Sequence, residues 1–144
     1  MDNRPFAARL VAMKRMVLVL VGALLLAAQP LAWADNAQIE QAYRAHNSDL
    51  QIEGEGTVIK LLADDNRGSR HQRFIIRLPS GQTLLVAHNI DLAPKLEGLK
   101  VGDNVAFAGE YEWSNKGGTL HWTHHDPQRR HVDGWLRYAG RTYQ

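Results

Sequence analysis

The chain has 144 residues, with 17 Lys+Arg against 15 Asp+Glu, seven histidines and no cysteine. That length bounds it to one small domain, and the missing thiol excludes disulfide staples, thiolate nucleophiles and a lipid attached to cysteine.

The N-terminus reads as an address. Arg4, Arg9, Lys14 and Arg15 form a basic region, Met16 to Ala28 is apolar, and Ala32-Trp33-Ala34 sets small residues just before a cut after Ala34. This layout predicts a secretory signal peptide over 1–34 and a periplasmic or secreted product. An uncleaved anchor is the alternative, but Pro30 interrupts the apolar run short of the roughly 20 residues a span requires. No stable membrane span is therefore expected after cleavage. A cut at Ala34 leaves 110 residues with 13 Lys+Arg and 14 Asp+Glu, so the formal charge moves from +2 to −1. Charge then gives no support to nucleic acid as a partner.

Residues 35–49 are polar with Ile39, Ala42, Tyr43 and Ala45 spaced for one face, which predicts a short helical or flexible segment. Residues 50–144 form the predicted domain. Gln51 to Leu62 is β-branched and carries Gly54 and Gly56, the pattern of a strand with a bulge. Asp64 to Ser69 is a turn cluster, where Asp64 and Asp65 read first as turn residues. His71 to Leu78 alternates strictly, turns at Pro79-Ser80-Gly81, and returns over Gln82 to Asn89 as a hairpin. Ile90 to Leu99 is a connection with one helical turn. Asn104 to Trp113, the Asn115-Lys116-Gly117-Gly118 turn and Thr119 to Thr123 form a second hairpin, and Gly134 to Tyr138 is a sixth short strand. This order predicts an all-β fold, a small OB-like barrel of five to six strands behind a short N-terminal helix. A β-sandwich is the competing architecture.

Chemistry concentrates in Gly118 to Trp135, GTLHWTHHDPQRRHVDGW, which holds His121, His124, His125 and His131. If Leu120 and Trp122 face the core, His121, Thr123 and His125 face outward, and His121 meets His124 only where the strand breaks. Asp126-Pro127 makes such a break. His121, His124 and His131, with His71 or His88 from the central hairpin, are the candidate ligands for zinc or another divalent cation. The competing reading has these histidines fastening loops to the barrel through both ring nitrogens. Arg67, Arg70, Arg73 and Arg77 form a stripe able to hold an anion, with Arg73 and Arg77 on the face of His71. Glu110 and Glu112 read as solvated strand positions. Trp113, Trp122 and Trp135 read as packing residues, or as stacking surface where exposed. No nucleophile elbow or phosphate loop occurs. The ligand-binding candidates are thus His71, Arg73, Arg77, His88, His121, Trp122, His124 and His131, for a small-molecule or anionic ligand. Two functions fit them: a non-enzymatic binding module, or a metal-dependent hydrolase of phosphoesters in which a histidine-bound cation activates water.

GEGTVIKLLADDNRGSRHQRFIIRLPSGQTLLVAHNIDLAP, VGDNVAFAGEYEW and GGTLHWTHHDPQRRHVDGWL together resemble the bacterial domain of unknown function family 3465. The hallmark is His-Trp-Thr-His, here His121 to His124, and the resemblance runs from Gly54 to Tyr138. It implies a small exported bacterial protein and brings no catalytic residue or cofactor with it. The strand order is similar, more loosely, to periplasmic OB-fold families, an analogy of fold alone.

Overall fold

The computed structural model describes residues 32–144, with side chains from Asn36 onward. The basic region and apolar run of the predicted leader lie outside the described residues, and so does the question of an anchor. The described chain forms α1 (Ala32–Ala45), β1 (Leu50–Leu61), β2 (His71–Arg77), β3 (Thr83–Asn89), β4 (Asn104–Glu112), β5 (Thr119–His121), β6 (Trp135–Tyr138) and β7 (Arg141–Tyr143). Among the described residues no helix is long and apolar enough to cross a membrane.

The strands follow the order β1-β2-β3-β5-β4, and β1 pairs again with β4, which closes a five-stranded barrel. The β3–β5 pairing is parallel, and the remaining pairings are antiparallel. This is the predicted small OB-like barrel, with β6 and β7 added beyond β4. Strict alternation carries the result: Phe74 and Ile76 of β2, Leu84 and Val86 of β3, Val105, Phe107 and Tyr111 of β4 and Leu120 of β5 are all buried in one core.

Strand β1 approaches both neighbours closely where two of its inward positions, Gly54 and Gly56, carry no side chain. A Cβ on Gly54 would stand 2.9 Å from the Phe107 ring, and one on Gly56 would stand 2.9 Å from the Arg77 carbonyl. The register shift lies further on, between Val58 and Lys60. The glycines admit close neighbours, and the bulge expected at them falls elsewhere.

Helix α1 closes one end of the barrel. Ile39 and Ala42 are buried there, and the Trp113 indole N–H donates to the Tyr43 carbonyl at 3.1 Å. The opposite end is covered by 90–99, whose single α-type turn is the Ala93 N–H to Asn89 carbonyl bond of 3.1 Å. Strand β7 was not expected; Ala139 and Gly140 both take positive φ (49° and 75°) and make the tight turn that folds it onto β6.

Candidate functional site

Strands β5 and β6 lie along the same edge of β4. His121 pairs with Glu110, Trp135 pairs with Ala108, and residues 122–134 leave the ladder between them. The loop can return so closely because Gly134 has no side chain: a Cβ there would stand 1.9 Å from the Trp122 carbonyl and 2.6 Å from that of Ala108. The Gly134 N–H donates to the His124 carbonyl at 3.0 Å.

The ladder ends at Trp122, whose φ of 55° is a left-handed value that a bulky side chain rarely adopts. That single residue reverses the expected alternation. Thr123, expected outside, is fully buried, and Trp122, expected in the core, is half-buried at the surface.

Thr123 buries its hydroxyl on His88. The Pro94 carbonyl, 3.0 Å from His88 Nε2, can only accept, so Nε2 carries the proton and Nδ1 accepts from Thr123 Oγ1 at 2.8 Å. Burial lowers the His88 pKa to about 4, over the opposing pull of the Pro94 carbonyl, and nearby His124 and His71 push the same way. Opposite His88 on the hairpin, Gln72 exchanges two bonds with the Leu96 backbone at 2.9 and 3.0 Å. His88 is thus a fastener of loops with both ring nitrogens in use.

The 122–134 loop carries its own frame. The buried Asp126 carboxylate accepts the N–H groups of Gln128, Arg130 and His131 at 2.9, 2.7 and 2.9 Å, and these bonds hold its pKa below the ordinary range. Asp133 accepts the Asp126 N–H at 3.0 Å and meets His125 Nδ1 at 2.9 Å. His131 closes the loop onto β4. Its Nδ1 lies 2.7 Å from the Val132 carbonyl and its Nε2 bonds the Glu110 carboxylate. The Val132 carbonyl and the Glu110 carboxylate both accept, an arrangement that favours the doubly protonated ring. Partial burial opposes that charge, but the Glu110 and Val132 bonds and the Glu110 charge outweigh it and raise the pKa. The ring stacks on Trp122 at 4.1 Å and 6°.

A cleft of about 230 Å³ lies beside this loop, on the outer face of β2, β3 and β5. Ala87 and Asn89 of β3 line it with His71, Ser69, His121, Trp122, His124 and Leu92. His71 Nδ1 is 2.8 Å from the Ser69 carbonyl, and His124 Nδ1 is 2.7 Å from that of His125. Each carbonyl fixes its Nδ1 as the donor, which leaves Nε2 of both rings with a lone pair for a ligand. His121 completes the trio but turns Nε2 toward β4, 3.4 Å from Glu110 Oε1 and 3.7 Å from Glu112 Oε1.

The predicted candidates therefore divide. His71, His121, His124 and Trp122 gather at the cleft, His131 braces it through Trp122 and Glu110, and His88 is spent inside the barrel end. The arginines do not form an open stripe. Arg70 pairs with Asp91 at 2.7 Å, Arg73 donates twice to the Ala63 carbonyl, and Arg77 lines a separate surface hollow with Glu55 and Asn104. Asp64 pairs with Lys95 at 2.5 Å, and Asp65 accepts the Arg67 N–H in the turn at 3.0 Å. From the sequence Glu110 and Glu112 read as solvated strand positions. Their alternation with Phe107 and Tyr111 marks only the outward face, and the pairing that sets His121 beside them is not local.

Fold and site define a class: an OB-like barrel whose β4 edge opens into a histidine-bearing loop over its outer face. The chain belongs to the family described as "Protein of unknown function (DUF3465)", which matches residues 20–144. No curated protein matches it.

Proposed function

We propose that the protein is an exported binding module that takes a small polar ligand in the His71–His121–His124–Trp122 cleft. The observation that carries this reading is the shared arrangement of His71 and His124. In both, Nδ1 is tied to a backbone carbonyl, so the ring is held in one orientation and tautomer with Nε2 left to accept. Ala87 adds only a methyl to the lining of the cleft, and Trp122 and Leu92 give it apolar surface. The preferred ligand presents hydroxyl or amine donors to the two Nε2 atoms.

Two observations favour binding over the phosphoester hydrolase. Of Arg73 and Arg77, which would hold the anion, Arg73 is engaged by the Ala63 carbonyl and Arg77 lines a separate hollow with Glu55 and Asn104. The trio of histidines that a catalytic cation needs does not gather its nitrogens either: among the described residues the three close ligand atoms belong to Glu110, Glu112 and His121.

Thermal unfolding against monosaccharides, disaccharides, free amino acids, diamines and inorganic phosphate tests the reading. A hydroxyl- or amine-bearing compound is expected to raise Tm in the wild type, and the rise is expected to vanish in His71→Ala and His124→Gln. A rise of equal size in both variants, or one produced by phosphate alone, would overturn the cleft as the site. Export is tested separately by N-terminal sequencing of the periplasmic fraction and medium, where the first residue is expected to be Asp35.

A further inference from the structure

We propose that Glu110, Glu112 and His121 form a binding site for a divalent cation of the zinc class on the outer face of β4 and β5. Antiparallel pairing sets Glu110 opposite His121, and the two-residue period brings Glu112 to the same face. One oxygen from each carboxylate and Nε2 of the imidazole all lie within 4.8 Å of one another. The two distances from His121 Nε2, 3.4 and 3.7 Å, are too long and poorly directed for hydrogen bonds. They match another geometry: donors about 2.1 Å from a tetrahedral zinc stand about 3.4 Å from one another.

His121 Nε2 supplies an independent sign. It is shut off from solvent and has no hydrogen-bond partner, a state that costs free energy in a nitrogen able to donate or accept. A cation between it and the two carboxylates would satisfy the nitrogen and relieve the repulsion of two acids on one strand face. The surroundings are prepared in the same sense. The second oxygen of Glu110 is held by His131, whose other nitrogen is held by the Val132 carbonyl, so the carboxylate is oriented by a chain of hydrogen bonds. Glu112 is half exposed, which leaves a coordination position facing water. One imidazole and two carboxylates suit zinc better than calcium, which favours an all-oxygen shell. The cation would sit on the β4 side of His121, whereas the cleft lies on its β3 side, so either site can fail without the other.

The test is zinc chloride titrated calorimetrically into EDTA-treated, dialysed protein, with cobalt(II) absorption as the spectroscopic check. One zinc per chain is expected, with a Tm that rises on loading and visible cobalt bands of a low-coordinate site. Glu112→Gln, chosen because its side chain is half exposed and braces nothing, is expected to weaken zinc by at least about tenfold, and His121→Gln by as much or more. His71→Ala is expected to leave zinc affinity unchanged while abolishing any ligand effect at the cleft. No zinc uptake would overturn the proposal. Uptake that survives Glu112→Gln undiminished, or that is lost in His71→Ala, would overturn it by moving the metal to another set of histidines.

Discussion

Strand β4 has two edges, and they were built differently. Along one, β1 runs beside it without interruption through eight residue pairs, from Leu50–Tyr111 to Thr57–Asn104. Along the other, β5 and β6 cover it in two short pieces, and residues 122–134 swing out between them. The first edge needs only alternation and two small inward glycines. The second needs a left-handed Trp122, a glycine at 134 and a carboxylate at 126 to gather three backbone N–H groups. A barrel can bear such an excursion because the ladder resumes beyond it and the loop satisfies its own polar groups. The continuous edge holds the fold together, and the broken edge holds nearly all the uncommitted chemistry.

The comparison breaks most completely at the residue both edges share. Phe107 is fully buried and pairs with Gly54 on one side and Leu136 on the other. Phe107→Ala is expected to cost about 3–5 kcal/mol and to loosen both edges in one transition, read by urea denaturation. Separate transitions for β1 and β6 would show the edges to be independent.

Acid offers a second test, through His88. The unfolded chain takes a proton near the ordinary 6.5, whereas the buried ring refuses it until about 4. Stability from this group is complete above 6.5 and is lost as pH falls toward 4, by about 3 kcal/mol at most. Denaturation midpoints between pH 7.5 and 4.5 should show the fall, and His88→Gln should flatten it while lowering stability at pH 7.5.

Gly134→Ala confines the damage to the broken edge. The added methyl collides with two backbone carbonyls, which cannot step aside as a side chain can. A loss of about 1–3 kcal/mol is expected, with faster amide exchange in 122–138 and unchanged protection in β1 and β2. Uniform loss of protection would deny that the loop is a separable feature.

The smallest expected effect runs opposite in pH to that of His88. The pKa of His131 is raised, so its clamp on Glu110 is fully present below 6.5 and is lost as pH rises through the folded value. Release of an imidazolium stacked on Trp122 should appear as a gain of indole fluorescence on that rise, absent in His131→Gln. A gain that persists in the variant would show that the His131 ring is not its source.

Alternation, turn residues and strand order in the sequence were enough to determine the β2–β3 hairpin, the inward rows of β4 and β5 and an OB-like order, because each depends on period or on turn chemistry within a few residues. The importance of Gly118 to Trp135 was legible from composition alone. Only tertiary structure decided what its residues do. A left-handed Trp122 turned Thr123 inward and brought His124 to the cleft with His121, a reversal that no pattern of polar and apolar residues encodes. The β4–β5 register made Glu110 and Glu112, which looked like solvated positions, the neighbours of His121. His88 went the other way, from candidate ligand to buried fastener, because its partners Thr123 and Pro94 arrive from two different loops. Period is local and survives in the sequence; which side chains meet across strands and loops is set by how the barrel closes.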